Sequence, residues 1–309
     1  MAEPPESPTH AVAVPVSTVW TAPDAPREHH RLLAQQIPDV AGWCARLDNR
    51  QRLDLHGRTL TQALLGEPVV VDEVRDGWAR VRLPWQPAGA GGYPGWMPTT
   101  HLTEPALPGG PAAVVRQPGA LLHDRDGRSS VSLGTVLPLA SDDENSGNAD
   151  AVTVRLPGGG TGTLPRAAVW LQPDDPTGRG QTAGATAGAA LETARLLTAA
   201  PYVWGGTCEW GVDCSGLVHL GYRVAGVVVP RDAADQHAAL AAVAPEAAQP
   251  ADLYFFARPG EPVHHVGFVT GPTDGSPRML HAPETGGHVE EVALPPERLE
   301  LLIGAGRLA

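Results

Sequence analysis

Glycine and proline punctuate this chain so densely, at 36 and 32 of 309 residues, that helices must be confined to local stretches. Most of the remainder must turn often, which predicts many short strands. The hydrophobic fraction of 42% is nevertheless enough to bury a sizeable core, so the turns belong to a folded chain. The length suits two or three domains.

Three regions follow from local texture. In the first, residues 10–105, Val12 to Trp20 and Pro68 to Leu83 alternate β-branched and polar residues and are bounded by turns such as Asp76-Gly77. Between them, Val40 to Leu65 carries Trp43, Leu47 and Leu53 at helical spacing, which predicts inserted helices. Residues 111–172 show short β-prone runs (Ala113–Val115, Ser132–Leu139, Ala151–Leu156, Gly162–Leu164), the texture of a small barrel. Gly95-Trp96-Met97-Pro98 and Gly162-Thr163-Leu164-Pro165 close the two regions in similar fashion and hint at a degenerate repeat. Residues 173–189, rich in Gly, Thr and Ala, read as a linker. In residues 190–309, Leu191–Ala199, Cys214–Val224 and Asp232–Val243 are expected as helices. Leu253–Ala257, His265–Thr270 and Met279–Ala282 are expected as strands, giving an α+β domain.

The net charge of −12 argues against nucleic acid or an anionic membrane as partner. No run is long enough to span a bilayer, and the acidic, Pro-rich start lacks the basic and apolar segments of a secretory leader, so a cytoplasmic location is expected. All 22 basic residues other than histidine are arginine, a coding bias with no functional message. Cys44, Cys208 and Cys214 are odd in number and form no disulfide framework. Cys208 and Cys214 also miss close-pair zinc spacing, so neither a metal nor another cofactor is expected.

The chemistry concentrates around Asp213-Cys214-Ser215-Gly216. Asp213 is a natural N-cap, which puts Cys214 in the first turn of a helix. There the dipole and free N–H groups are expected to lower the thiol pKa and to hold an oxyanion. A buried structural cysteine is the bland alternative. A base is offered by His264-His265-Val266-Gly267. Only one of the two histidines can face Cys214 from a strand, and Gly267 leaves the His265 side uncrowded. His281, in Leu280-His281-Ala282-Pro283, could orient that base.

Pro201-Tyr202-Val203-Trp204-Gly205-Gly206, Asp213–Leu217, Arg231 with Gln236, Asp252-Leu253, His265-Val266-Gly267 and His281-Ala282-Pro283 stand in the order of the NlpC/P60 family pattern. The resemblance implies a papain-like cysteine peptidase fold with Cys214 as nucleophile, His265 as base, His281 as its orienter and Tyr202 at the oxyanion. Ala251 departs from the pattern, which has Gly before Asp-Leu. Thr18-Val19-Trp20, Thr61–Leu64 with Gly66-Glu67, Gly92–Trp96 and Pro230–Ala233 further resemble the γ-D-glutamyl-L-diamino acid endopeptidases of that family. Those combine two small all-β SH3b-type barrels, the first with a helical insertion, with the catalytic domain. The resemblance implies a murein peptide substrate, with Glu67, Tyr93 and Asp232 binding the free amino group of L-alanine and with Ser215 and Arg231 also on the substrate side. A buried ammonium needs carboxylates, and an acylated alanine would leave them unpaired. The bland readings are a solvated turn for Glu67 and a helix N-cap for Asp232. The competing functions are a secreted hydrolase of intact wall and a non-catalytic wall-peptide-binding protein.

Overall fold

The computed structural model describes residues 7–89, 91–140, 149–172, 183–271, 276–285 and 287–309. Contacts divide the chain into two units: residues 1–176 together with Cys208–Trp210, and residues 177–207 with 211–309. Part of the segment read as a linker, residues 173–182, lies outside the described residues.

The first unit opens with β1 (His10–Val12), β2 (Val16–Trp20), β3 (Thr59–Leu64), β4 (Pro68–Arg75), β5 (Trp78–Leu83), β6 (Tyr93–Pro98) and β7 (Leu102–Thr103). They form one sheet in the order β3-β2-β6-β5-β4-β1-β7. Along β5, Ala79, Val81 and Leu83 point into the core while Arg80 and Arg82 point out, the period-two pattern of a half-buried strand. Asp76 and Gly77 take positive φ values of 49° and 78°, as the two-residue hairpin between β4 and β5 requires.

Between β2 and β3 lie a 3-10 turn (Glu28–Leu33), α1 (Val40–Arg46) and α2 (Asn49–Leu53). Asp39 caps α1 through Gly42 N–H at 2.8 Å, and Asp48 with Gln51 forms a capping box on α2. The helical stretch thus stops before Leu65. Thr59–Leu64 is a strand, because pairing with β2 outweighs its helix-like spacing.

The unit continues with β8 (Ala112–Val115), β9 (Ala120–Asp124), β10 (Gly127–Val131), β11 (Val136–Pro138), β12 (Ala151–Arg155), β13 (Thr161–Pro165) and β14 (Val169–Gln172), in sheets β10-β9-β13-β12 and β11-β8-β14. Both sheets contribute to one core, with Ala113, Val115, Leu122, Val154 and Leu164 at its centre. Leu65 of the first region enters that core, so the two β-rich regions share one compact unit. The suspected repeat has a structural counterpart. Pro98 and Pro165 each end a strand and start a three-residue 3-10 turn that leads into β7 or β14.

The second unit carries α3 (Ala183–Arg195), α4 (Cys214–Val224), α5 (Ala233–Ala239) and α6 (Pro296–Leu299). Its sheet consists of β17 (Ala241–Val243), β18 (Leu253–Phe256), β19 (His265–Val269), β20 (Arg278–His281), β21 (Glu290–Ala293) and β22 (Leu302–Arg307), in the order β17-β22-β18-β19-β20-β21. A short ladder, β15 (Thr207–Cys208) and β16 (Gly211–Val212), precedes α4. Helix α3 begins at Ala183, inside the expected linker. It buries Ala187, Ala190, Leu191 and Ala194. Small side chains permit a close approach to α4: a Cβ on Gly221 would fall 2.7 Å from the Ala190 carbonyl oxygen. The expected helix from Asp232 to Val243 ends at Ala239, and its tail becomes edge strand β17. Ala251, the departure from the family pattern, sits at φ 75°, the left-handed region that glycine occupies without strain. No helix among the described residues is long and apolar enough to cross a membrane.

Candidate active site

The start of α4 is built around Asp213. Its backbone is extended and its Oδ1 accepts from Gly216 N–H at 2.7 Å, which caps the helix. Oδ2 accepts from Gly205 N–H at 2.8 Å, and Ser215 Oγ–H donates to Oδ1 at 3.2 Å. Arg231 completes the cluster with Nη1 on Oδ1 at 3.0 Å and Nη2 on Oδ2 at 2.7 Å. Arg231 Nη1 also donates to Ser215 Oγ at 2.9 Å, while Gln236 Nε2 donates to the carbonyls of Ser215 at 3.0 Å and Pro230 at 2.9 Å. Arg231 is only 1% exposed, so it acts on the site through Asp213. Ser215 and Arg231 are therefore parts of the scaffold that fixes the helix start. A Cβ on Gly216 would strike the Gly206 carbonyl and one on Gly206 the Gly211 carbonyl, which explains both glycines.

Cys214 stands in the first turn, 8% exposed. The backbone N–H groups of Val266 and Ser215 hydrogen-bond its sulfur, which places the thiol against the residue that follows His265. The expected fall in thiol pKa does not occur. Burial pushes it up to about 12, the Asp213 carboxylate adds to the rise, and the two N–H groups and Arg231 offset only part of it. The resting sulfur is a protonated thiol.

The structure separates the two adjacent histidines. His264 is exposed, whereas His265 begins β19, is 8% exposed, and sets its Nε2 2.9 Å from Nδ1 of His281. Burial, then His281, then Arg298 and His264 hold His265 well below the usual histidine range. Burial and then Arg298 take His281 down to about 3. Both rings are neutral at rest. His281 Nε2 lies 3.6 Å from Glu290 Oε1 across the β20–β21 register, beyond hydrogen-bond distance but within electrostatic reach. With the carboxylate favouring a proton on that nitrogen, His281 Nδ1 accepts from His265 Nε2–H. The Nδ1 lone pair of His265 is then outside that pairing. Gly267 makes room for this pairing, since a Cβ there would lie 2.8 Å from the His281 Cβ. Glu290 was not singled out from sequence, because the strand that presents it was not recognised.

Tyr202 is pinned by its N–H on the Gly287 carbonyl at 2.8 Å and by a parallel bridge to Val212. Burial, then the charges of Cys214 and Asp213, raise its phenol pKa, so the group remains a hydroxyl donor within electrostatic reach of the sulfur. Asp232 occupies the N-cap position of α5, yet its side chain makes no capping hydrogen bond, which removes the bland reading of that residue. Glu67 and Tyr93 belong to the first unit. Glu67 is 0% exposed, not a solvated turn residue. Its Oε2 accepts from Leu64 N–H at 3.1 Å and its Oε1 from Gln86 Nε2 at 2.8 Å. Tyr93 is buried at the start of β6.

Among the described residues, His29, His30 and Asp54 come together with a metal-like disposition, their candidate ligand atoms within 4.8 Å of one another. The chemistry disfavours a cation there. Arg27 N–H donates to His30 Nδ1 at 3.0 Å, which places the ring proton on Nε2, the nitrogen a metal would need. Arg27 and Arg58 already flank Asp54, at 3.0 and 3.5 Å.

A thiol at a helix N-terminus, backed by backbone N–H groups and by an imidazole pair from the adjoining antiparallel sheet, is the arrangement of the papain-like cysteine peptidases. Within that class the chain belongs to the NlpC/P60 family, whose model matches residues 199–297. Residues 50–102 match the bacterial dipeptidyl-peptidase SH3 domain, so an SH3 domain precedes the catalytic one. The chain is 34% identical to the γ-D-glutamyl-L-lysine dipeptidyl-peptidase of Bacillus cereus, covering 96% of this chain and 90% of that one. It is 31% identical to the enzyme of the same name from Bacillus subtilis, over 92% and 93%. A crystal structure of an NlpC/P60 family protein from Bacillus cereus superposes with a TM-score of 0.87 at 30% identity, covering 97% of this chain and 99% of that chain.

Proposed function

We propose that this cysteine peptidase hydrolyses the bond between γ-D-Glu and the following diamino acid in cell-wall peptides with a free N-terminal L-alanine, acting on released peptides during wall recycling. The observation that carries the reading is the Cys214–His265–His281 cluster in a chain similar along nearly its whole length to two γ-D-glutamyl-L-lysine dipeptidyl-peptidases. The helices between β2 and β3 are taken as an insertion in the first SH3b-type barrel, and the β8–β14 sheets as a second such barrel.

In this reading the scissile carbonyl carbon lies over the sulfur. As the S–C bond forms, the thiol proton passes to His265 Nδ1, and His281 stabilises the imidazolium through Nε2. Backbone N–H groups at the start of α4 and the Tyr202 hydroxyl receive the developing oxyanion. The C–N bond then breaks, and His265 returns the proton to the leaving amine of the diamino acid. Water, deprotonated by the same imidazole, releases the acyl group and regenerates the thiol. Asp232 supplies a carboxylate for the ammonium of L-alanine.

Mass spectrometry of digests of L-Ala-γ-D-Glu-L-Lys, its N-acetylated form and purified sacculi tests this. Cleavage of the free tripeptide alone, lost in Cys214→Ala, is expected. Equal cleavage of the acetylated peptide would remove the amine requirement, and preferential cleavage of sacculi would favour a secreted wall hydrolase. Glu67→Gln in the same assay asks whether the first unit contributes to the amine requirement.

A further inference from the structure

A cation stands beside the imidazole pair and has no role in the chemistry above. Arg298, on α6, is half-buried, with its guanidinium carbon 5.7 Å from the centroid of the Phe256 ring. Phe256 is the register partner of His265, and their ring centroids are also 5.7 Å apart. The guanidinium is thus one ring removed from the base. Among the described residues the one partner found for the Arg298 side chain is the Phe256 ring, which leaves its N–H donors available to an anion. Glu290, then Cys214, then Glu297 act on it electrostatically.

Towards His265, which must itself become positive, this charge is unfavourable. Burial chiefly, with Arg298 as a lesser contributor, holds His265 and His281 below their ordinary range. An anion seated on the guanidinium during turnover would cancel that opposition. The side of the site identifies where such an anion comes from. The acyl half of the substrate is held at the start of α4, by the oxyanion donors. The leaving amine takes its proton from His265 and therefore departs on the sheet side, where Arg298 lies.

We propose that Arg298 is a specificity-determining residue that binds a carboxylate of the leaving diamino acid. The inference rests on the peptide-hydrolase reading above. Two carboxylates share this chemistry: the free α-carboxylate at the end of a tripeptide, and the side-chain carboxylate that diaminopimelate has and lysine lacks.

Three substrates separate them: L-Ala-γ-D-Glu-L-Lys, its C-terminal amide, and L-Ala-γ-D-Glu-meso-diaminopimelate amidated at the α-carboxyl. For the wild type and Arg298→Gln, kcat/KM is measured on each. A charge-assisted contact is expected to make the preferred carboxylate substrate about ten- to a hundredfold better than the lysine amide, which carries neither carboxylate. Arg298→Gln should erase that preference without slowing cleavage of the lysine amide, and Arg298→Lys should restore part of it. Loss confined to the free lysine tripeptide marks the α-carboxylate, and loss confined to the diaminopimelate amide marks the side-chain one. An equal fall on all three substrates, or unchanged ratios, overturns the inference alone. A wild type that cleaves none of the three overturns the underlying substrate reading and this inference with it.

Discussion

Replacing Asp213 by Asn removes one negative charge and almost no volume, yet the contacts around it predict a large effect. Five donors converge on the two carboxylate oxygens: the N–H groups of Gly205 and Gly216, the Ser215 hydroxyl and two Arg231 nitrogens. An amide offers one oxygen, so whichever position its NH2 takes, donor faces donor. The Arg231 charge, 1% exposed, is left without its counter-charge. Breaking a buried ion pair in this way costs about 3–5 kcal/mol. At roughly 2–4 °C per kcal/mol, calorimetry on the full chain should show a fall in melting temperature on the order of 10 °C. Arg231→Met in the Asp213→Asn background removes the stranded charge and should recover about half of the loss, a positive coupling in a double-mutant cycle. Any folded Asp213→Asn molecule should also alkylate faster at Cys214, because the carboxylate that raises the thiol pKa is gone. A fall of less than about 1 kcal/mol, or a double variant no more stable than the single one, would refute this account of the helix start.

Two further outcomes follow from titration. Iodoacetamide labelling of Cys214 in the free enzyme, followed by mass spectrometry of its peptide, should climb continuously from pH 6 to pH 10, because the thiol pKa is pushed up to about 12; a plateau reached near pH 7 would contradict a protonated resting sulfur. Burial, followed by Arg223, lowers His219 to about 3, and its Nδ1–H donates to the Val229 carbonyl at 2.9 Å. The folded pKa lies below the unfolded value of about 6.5, so the neutral ring's contribution is complete above 6.5 and is lost as the pH falls towards 3. Urea midpoints should decline from pH 7 to pH 4, less steeply in His219→Gln, and matching slopes in the two proteins would exclude His219 as a source.

The helix start at Cys214 and the strand start at His265 were legible in sequence because each depends on local spacing. Asp213 one residue before Cys214 defines a cap and a first turn, and α4 spans Cys214–Val224 as read. His265 could be separated from His264 only through Gly267, whose missing side chain faces His281. What could not be read depends on distant partners. The start of helix α3 was hidden because its buried face, Ala187, Ala190, Leu191 and Ala194, is helical in spacing but made mostly of a residue too small to register as apolar. Thr59–Leu64 satisfied a helical pattern and became a strand only because β2 lies beside it. Glu290 and Arg298 reach the imidazoles from elements that carry no motif. The thiol pKa turned out opposite in sign because spacing shows a helix dipole but not the depth at which the sulfur lies.

The protonated state of Cys214 bears on how the enzyme ages. Peroxides and disulfides attack thiolates, and the sulfenic, sulfinic and sulfonic series begins from that ion. A nucleophile that surrenders its proton only as a scissile carbonyl arrives is a poor target between turnovers. Idle enzyme should therefore withstand oxidants that disable cysteine hydrolases resting as thiolate–imidazolium pairs, and its vulnerability should rise with the rate at which it works.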